Sequence, residues 1–246
     1  MNSSTACTQR LKELLWSRFG TPEHPAEWDG HHYGGGLLSQ RYWEYFISAE
    51  LLSVTPEAKV LDIGGGSPVT GAGFFAALLA QVCQEVIIVD PNLGAQKAPA
   101  KTRFCPQMAD YKNLCAIFEE FPGITQVCCV SVLEHIPPAA RLEIFKAINE
   151  KFTGEKIVLT FEYHPRVSFF EHQLTAATMS EMLQPLKRFF PVEIRSSPVL
   201  CENALAEPLA ININLPGRKW MGRFGAKRNP IPLWYPLAVS FNRISS

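Results

Sequence analysis

The sequence has no C-x-x-C pair and no Cys/His group at the spacing of a zinc site, although it holds seven cysteines, Cys7, Cys83, Cys105, Cys115, Cys128, Cys129 and Cys201. No metal is therefore expected, and the cysteines read as reduced, mostly buried thiols. Neither sign of charge is in excess, since 23 Lys and Arg balance 23 Asp and Glu. With no net field to draw it to a polyanion, a nucleic-acid partner is not expected. No apolar run reaches the roughly 18 residues of a membrane span, and AGFFAALLAQVC comes nearest. The opening MNSSTACTQRLKELLW lacks the apolar stretch of a secretory signal. These absences together predict a soluble, cytoplasmic chain.

One absence is local. After Glu207 no acidic residue occurs, while Arg218, Lys219, Arg223, Lys227, Arg228 and Arg243 do. The last segment is thus basic and, with Trp220, Trp234 and Tyr235, aromatic. Its aromatics are expected to pack on the core with the cations solvated. Contact with a membrane surface, or with an acidic acceptor, is the alternative.

What is present from Lys59 onward is an alternation of short β-branched runs with longer helical patterns, the mark of a parallel sheet with helices on its faces. KVLDI, EVIIVD, TRFCPQMA, QVCCVSVL and EKIVLTFEY read as successive strands. GAGFFAALLAQVC, YKNLCAIFEEF, PPAARLEIFKAINEKF and TAATMSEMLQPLKRFF read as helices, with Leu142, Phe145 and Ile148 on one buried face. PVEIRS and LAININL close the pattern as a strand pair. Ahead of it, RYWEYFISAELL is an amphipathic helix. The expected organisation is an N-terminal helical cap over 1–55, a core over 56–216 and a basic aromatic extension over 217–246.

The segment KVLDIGGGSPVTG carries the chemistry. A dinucleotide fingerprint requires G-x-G-x-x-G; counted from Gly64, the third position is Val69, and the match fails. The loop instead offers Asp62 two residues before Gly64, with Gly65 and Gly66 following. Glycines give a ligand close access to backbone, and Asp62 supplies a negative charge. Further on, Asp90 ends EVIIVD, 28 residues beyond Asp62, and precedes Pro91. A strand-end carboxylate with two oxygens suits a vicinal diol. Each has a plainer reading, Asp62 as a turn cap and Asp90 as an Asx-turn.

This D-x-G-x-G segment, Asp90, Asp110 in QMADY and CVSVLEHIPP resemble, in order and spacing, the motifs of class I S-adenosylmethionine-dependent methyltransferases of the small-molecule branch (type 11-like). The resemblance covers about residues 55–215. It implies a Rossmann-like α/β fold, a seven-stranded mostly parallel sheet with helices on both faces and a C-terminal antiparallel strand pair. It implies S-adenosyl-L-methionine as cofactor, held by Asp62, Gly64, Gly65, Gly66, Asp90, Pro91, Asp110, Tyr111, Ser131 and Tyr33. In the family the residue at Asp90 takes the ribose hydroxyls and that at Asp110 the adenine amino group, with Tyr111 or Met108 covering the ring. Asp110 could equally cap the helix that follows. Pro68 departs from the family's usual glycine and stiffens the loop.

Methyl transfer from a sulfonium needs alignment and exclusion of water more than a dedicated base. Where a base is needed, His135 and then His164, both after strand ends, are the candidates. HHYGGG, which contains Tyr33, suits a moving cover over a ligand or a plain hinge. The reading is a methyltransferase acting on oxygen or nitrogen of a small molecule. The alternatives are an aminopropyltransferase, against which Ser131 and Glu134 stand where that family has an Asp pair, and a non-catalytic cofactor-binding scaffold.

Overall fold

The computed structural model describes residues 3–19, 36–66, 74–94, 97–163, 174–196, 209–215, 218–224 and 235–244. Its main sheet is built from β1 (Lys59–Ile63), β2 (Glu85–Val89), β3 (Thr102–Cys105), β4 (Gln126–Val130), β5 (Lys156–Tyr163), β6 (Phe189–Ser196) and β9 (Tyr235–Arg243). The strand order is β3-β2-β1-β4-β5-β9-β6. The first five strands pair in parallel, and β9 runs antiparallel to both β5 and β6. The expected Rossmann-like, mostly parallel sheet with an antiparallel pair from the C-terminal part is what the chain forms.

The apolar runs produce this sheet because nearly every residue of β1, β2 and β4 is buried. Alternate residues of β1 go to opposite sides: Val60 joins one core cluster, Leu61 and Ile63 the other. One face is covered by α1 (Ser3–Phe19), α2 (Gly36–Leu52) and α3 (Phe74–Val82), through Leu11, Leu15, Leu52, Phe75 and Leu79. The other is covered by α4 (Tyr111–Glu120), α5 (Pro138–Lys151) and α6 (Ala176–Leu183), through Leu114, Ile144, Phe145, Ile148 and Met179. Two buried faces explain why β1, β2 and β4 read as continuous apolar runs and not as alternating ones.

Two expectations are corrected. LAININL does not pair with PVEIRS. It lies in β7 (Leu209–Leu215), which pairs with β8 (Arg218–Phe224) as a separate two-stranded antiparallel sheet. The strand inserted between β5 and β6 is β9, from the stretch read as an extension beyond the core, so the sheet is completed from residues past 217. The second concerns α5. Its fully covered face is Arg141, Ile144, Phe145 and Ile148, and Leu142 is only half-buried beside it.

Arg141 is 1% exposed, so its charge must be accommodated inside the protein. Its Nε donates to the Ile136 carbonyl at 2.7 Å. Burial lowers the guanidinium to a pKa of about 10, and the Glu134 carboxylate opposes that fall. Removing one member of such a pair leaves the other charge buried, so Arg141→Ala is expected to destabilise the fold by about 3–5 kcal/mol. Urea unfolding at pH 7 measures it.

Candidate active site

The order of strands reverses between β1 and β4, because β2 and β3 lie to one side and β5 to the other. Open α/β sheets bind ligands in the crevice at the carboxyl ends of the strands at such a point. Here those ends are Ile63-Gly64, Val89-Asp90 and Val130-Ser131.

Gly64 closes β1 at φ +72°, with its N–H donating to the Val89 carbonyl at 2.8 Å. A β-carbon on Gly64 would lie 2.5 Å from the side chain of Val132, and one on Gly65 2.4 Å from Asp62 Oδ2. Only glycine satisfies both the left-handed backbone and the close approach at Gly64. Gly64→Ala is therefore expected to cost roughly 1–3 kcal/mol of stability, read as a fall in the urea midpoint. Gly66, at φ +63°, completes the turn.

Asp90 ties this turn to β2. Its Oδ2 accepts from the Gly66 N–H at 3.0 Å and its Oδ1 from the Asn92 N–H at 2.8 Å. The second contact is the Asx-turn anticipated for Asp90-Pro91-Asn92. The first links the two motifs directly. Each carboxylate oxygen keeps a further lone pair, and Asp90 is 8% exposed at the crevice. Pro91 is exposed beside it.

Asp62 is more deeply set, at 2% exposure. Burial raises its carboxyl to a pKa of about 7; the Cys128 thiol, donating to Oδ1 at 3.3 Å, pulls it down, and the Asp90 charge pushes it up. A carboxylate kept costly to ionise is a group prepared for a cationic neighbour.

Ser131 follows β4 in the left-handed region at φ +51°, a strained conformation for a residue with a side chain. Its Oγ donates to Glu44 Oε2 on α2, and both residues are buried. Neither Glu44 nor Cys128 was singled out for the site from the sequence. Glu44 lies in an amphipathic pattern that showed only a helix, and Cys128 in an apolar run that showed only a strand.

Asp110 is the N-cap of α4: Oδ1 accepts from the Asn113 N–H at 2.8 Å and Oδ2 from Asn113 Nδ2 at 3.0 Å. Tyr111, the first residue of that helix, donates its hydroxyl to Glu150 Oε2 on α5, a bond that raises the phenol to a pKa of about 12. Met108, two residues before the cap, is 65% exposed. His135 is exposed on a single 3₁₀ turn, Leu133–His135, whose Glu134 is fully buried. Tyr33, His164 and Pro68 lie outside the described residues, as do the side chains of Trp220, Trp234 and Tyr235. Among the described residues no group of three His, Cys, Asp or Glu could hold a metal ion, and no helix is long and apolar enough to cross a membrane.

The YcgJ protein from Bacillus subtilis superposes with a TM-score of 0.52 at 12% identity, over 83% of this chain and 100% of that one. A SAM-dependent methyltransferase from Anabaena variabilis gives 0.49 at 12% identity, over 99% and 96%. The likeness is one of fold: the chain shares the Rossmann-like α/β arrangement around a mostly parallel sheet with the YcgJ protein. No protein-family model matches the sequence, and no curated protein matches it either. Within this fold, Asp62, Gly64, Gly65, Gly66, Asp90 and Ser131 all stand at the carboxyl ends of β1, β2 and β4. Asp110 and Tyr111 start α4, one strand further along the same side.

Proposed function

We propose that the chain binds S-adenosylmethionine in this crevice and transfers its methyl group to a small-molecule acceptor at oxygen or nitrogen. The observation that carries the reading is the pair of strand-end carboxylates joined through one glycine turn. Asp90 holds Gly66 and retains free lone pairs for a diol, while Asp62 lies buried under Gly65 with its charge unfavourable until a cation arrives. A nicotinamide dinucleotide would bring a pyrophosphate, and a buried carboxylate beneath the turn repels it.

The residues present therefore fit the cofactor. Asp90 would take the ribose hydroxyls and Asp62 the ammonium of the methionine portion. Asp110 would reach the adenine amino group only through the lone pairs that Asn113 leaves. The Tyr111 hydroxyl is turned to Glu150, which favours exposed Met108 as the cover for the ring. The cofactor supplies an activated methyl on a sulfonium. What remains for the chain is to align the acceptor and exclude water. We take His135, exposed on the turn after β4, as the first candidate and His164 as the second for a base that removes a proton from a hydroxyl or ammonium acceptor.

Calorimetry with S-adenosylmethionine and with NAD separates the cofactor classes. Saturable binding of the first alone is expected, and no heat of binding with S-adenosylmethionine would overturn the proposal. Incubation with methyl-labelled cofactor and a metabolite extract then distinguishes an enzyme from a binding scaffold, by whether label passes to an acceptor.

A further inference from the structure

Asp62 and Cys128 are cross-strand partners in the register of β1 against β4. Both side chains are buried, at 2% and 0% exposure, and the thiol donates to Asp62 Oδ1 at 3.3 Å. The other carboxylate oxygen has a different neighbour. A β-carbon at Gly65 would fall 2.4 Å from Oδ2, so this oxygen lies directly against the glycine turn. The two oxygens are thus divided between a tether on β4 and the ligand-facing loop.

We propose that Cys128 is a positioning residue, whose thiol holds Asp62 by Oδ1 so that Oδ2 is presented at the glycine turn to a cationic group of the ligand. This rests on the reading of the crevice as a cofactor site. A valine at this position would fill a similar space in the apolar strand but could not donate, and the carboxylate would be left without that side-chain donor. A thiol is a weak donor, which suits a group that must hold a carboxylate without neutralising its charge.

The surroundings of Asp62 make the tether measurable. Asp90, at the end of β2, acts on Asp62 as a like charge. On β4, Cys129 is also within electrostatic reach of Asp62. On the covering helices, α3 carries no ionisable side chain over Phe74–Val82, and α2 contributes Glu44, which accepts from Ser131. Loss of the thiol removes an interaction that favours the ionised carboxylate, so Asp62 would ionise at a higher pH. Binding of a cation requires the ionised form, so affinity would rise with pH through the region near 7 and rise later in a variant without the donor.

The test uses Cys128→Val, Cys128→Ala and Cys128→Ser in the full chain. Carboxyl ¹³C titration of the ligand-free protein, with the Asp62 signal assigned by its loss in Asp62→Asn, follows Asp62 itself. Its midpoint is expected to move up by about half a pH unit or more in the Val and Ala variants and to return in the Ser variant, whose hydroxyl donates. S-adenosylmethionine affinity between pH 5.5 and 7.5 should weaken roughly three- to tenfold in Val and Ala at the acid end, converging towards wild type as pH rises. Coincident Asp62 midpoints in all four proteins would overturn the tether. If wild type binds no S-adenosylmethionine, the cofactor reading fails while the titration still decides the role of Cys128.

Discussion

Asp90→Ala is expected to weaken S-adenosylmethionine binding at least about 100-fold, because the substitution removes two kinds of contact at once. The first is to the protein. Gly66 N–H and Asn92 N–H, at 3.0 and 2.8 Å from the carboxylate, both lose their acceptor. A donor stranded in a part-buried site costs about 1–3 kcal/mol, so the turn that shapes the crevice loosens before any ligand arrives. The second is to the cofactor's diol, for which charge-assisted hydrogen bonds are worth about 1.5–3 kcal/mol each. Asp90→Asn separates the two. Its amide offers one acceptor oxygen and an NH₂ group, so one loop N–H must face a donor, and an intermediate loss is expected. Calorimetric dissociation constants for wild type, Asn and Ala give the ranking. An Ala variant within threefold of wild type would remove Asp90 from the diol role.

Both halves of the Asp90 argument bear on how much was legible in the sequence. Asp62 and Asp90 were visible because one lies next to the end of a buried apolar run and the other directly after one, where a carboxylate is conspicuous. That Asp90 reaches across to Gly66 was not, since the contact depends on the β1–β2 register, which local pattern does not encode. The same limit explains Cys128. A cysteine in QVCCVSVL is indistinguishable from core until β4 is laid against β1 and Cys128 falls opposite Asp62. Arg141 escaped notice for the opposite reason. A charged residue does not count towards an apolar face, yet Arg141 completes the i, i+3, i+4, i+7 stripe with Ile144, Phe145 and Ile148.

The parallel strands were legible one by one, whereas the closing strand was misplaced. LAININL and YPLAVSF have similar β character, and Pro236 together with the preceding basic stretch disguised the second. Pro236 is tolerated because it lies one residue into β9, opposite Glu162 near the end of β5. For Asp110 the sequence offered a cap and a ligand contact. The cap is present, and it does not consume every lone pair of the carboxylate.

Asp62→Asn is expected to make the ligand-free protein more stable at pH 8 while weakening S-adenosylmethionine binding. The Asp62 carboxyl ionises near 3.8 in an unstructured chain and at about 7 in the fold, chiefly because burial disfavours its charge. Between those values the native state holds a proton that the unfolded state has released. Stability therefore falls as pH rises from about 4 to about 7 and is level above. The full difference corresponds to at most about 4 kcal/mol at 1.36 kcal/mol per pH unit. Asparagine cannot ionise, so the variant lacks this decline, and its amide oxygen still accepts from the Cys128 thiol. The two proteins should be close in stability at pH 4.5 and diverge towards pH 8, with a melting-temperature gain of about 2–4 °C for each kcal/mol recovered in a chain of this size. Saturating S-adenosylmethionine should narrow the gap at pH 8, because the cofactor's ammonium compensates the wild-type carboxylate and stabilises only the protein that can bind it. A variant no more stable than wild type at pH 8 would show that Asp62 is compensated without the ligand. A more stable variant that binds as tightly would show that its charge serves something other than the cofactor. The combination expected here, stability gained and affinity lost through one atom exchange, is the trade-off of a site whose charge is poised for a ligand.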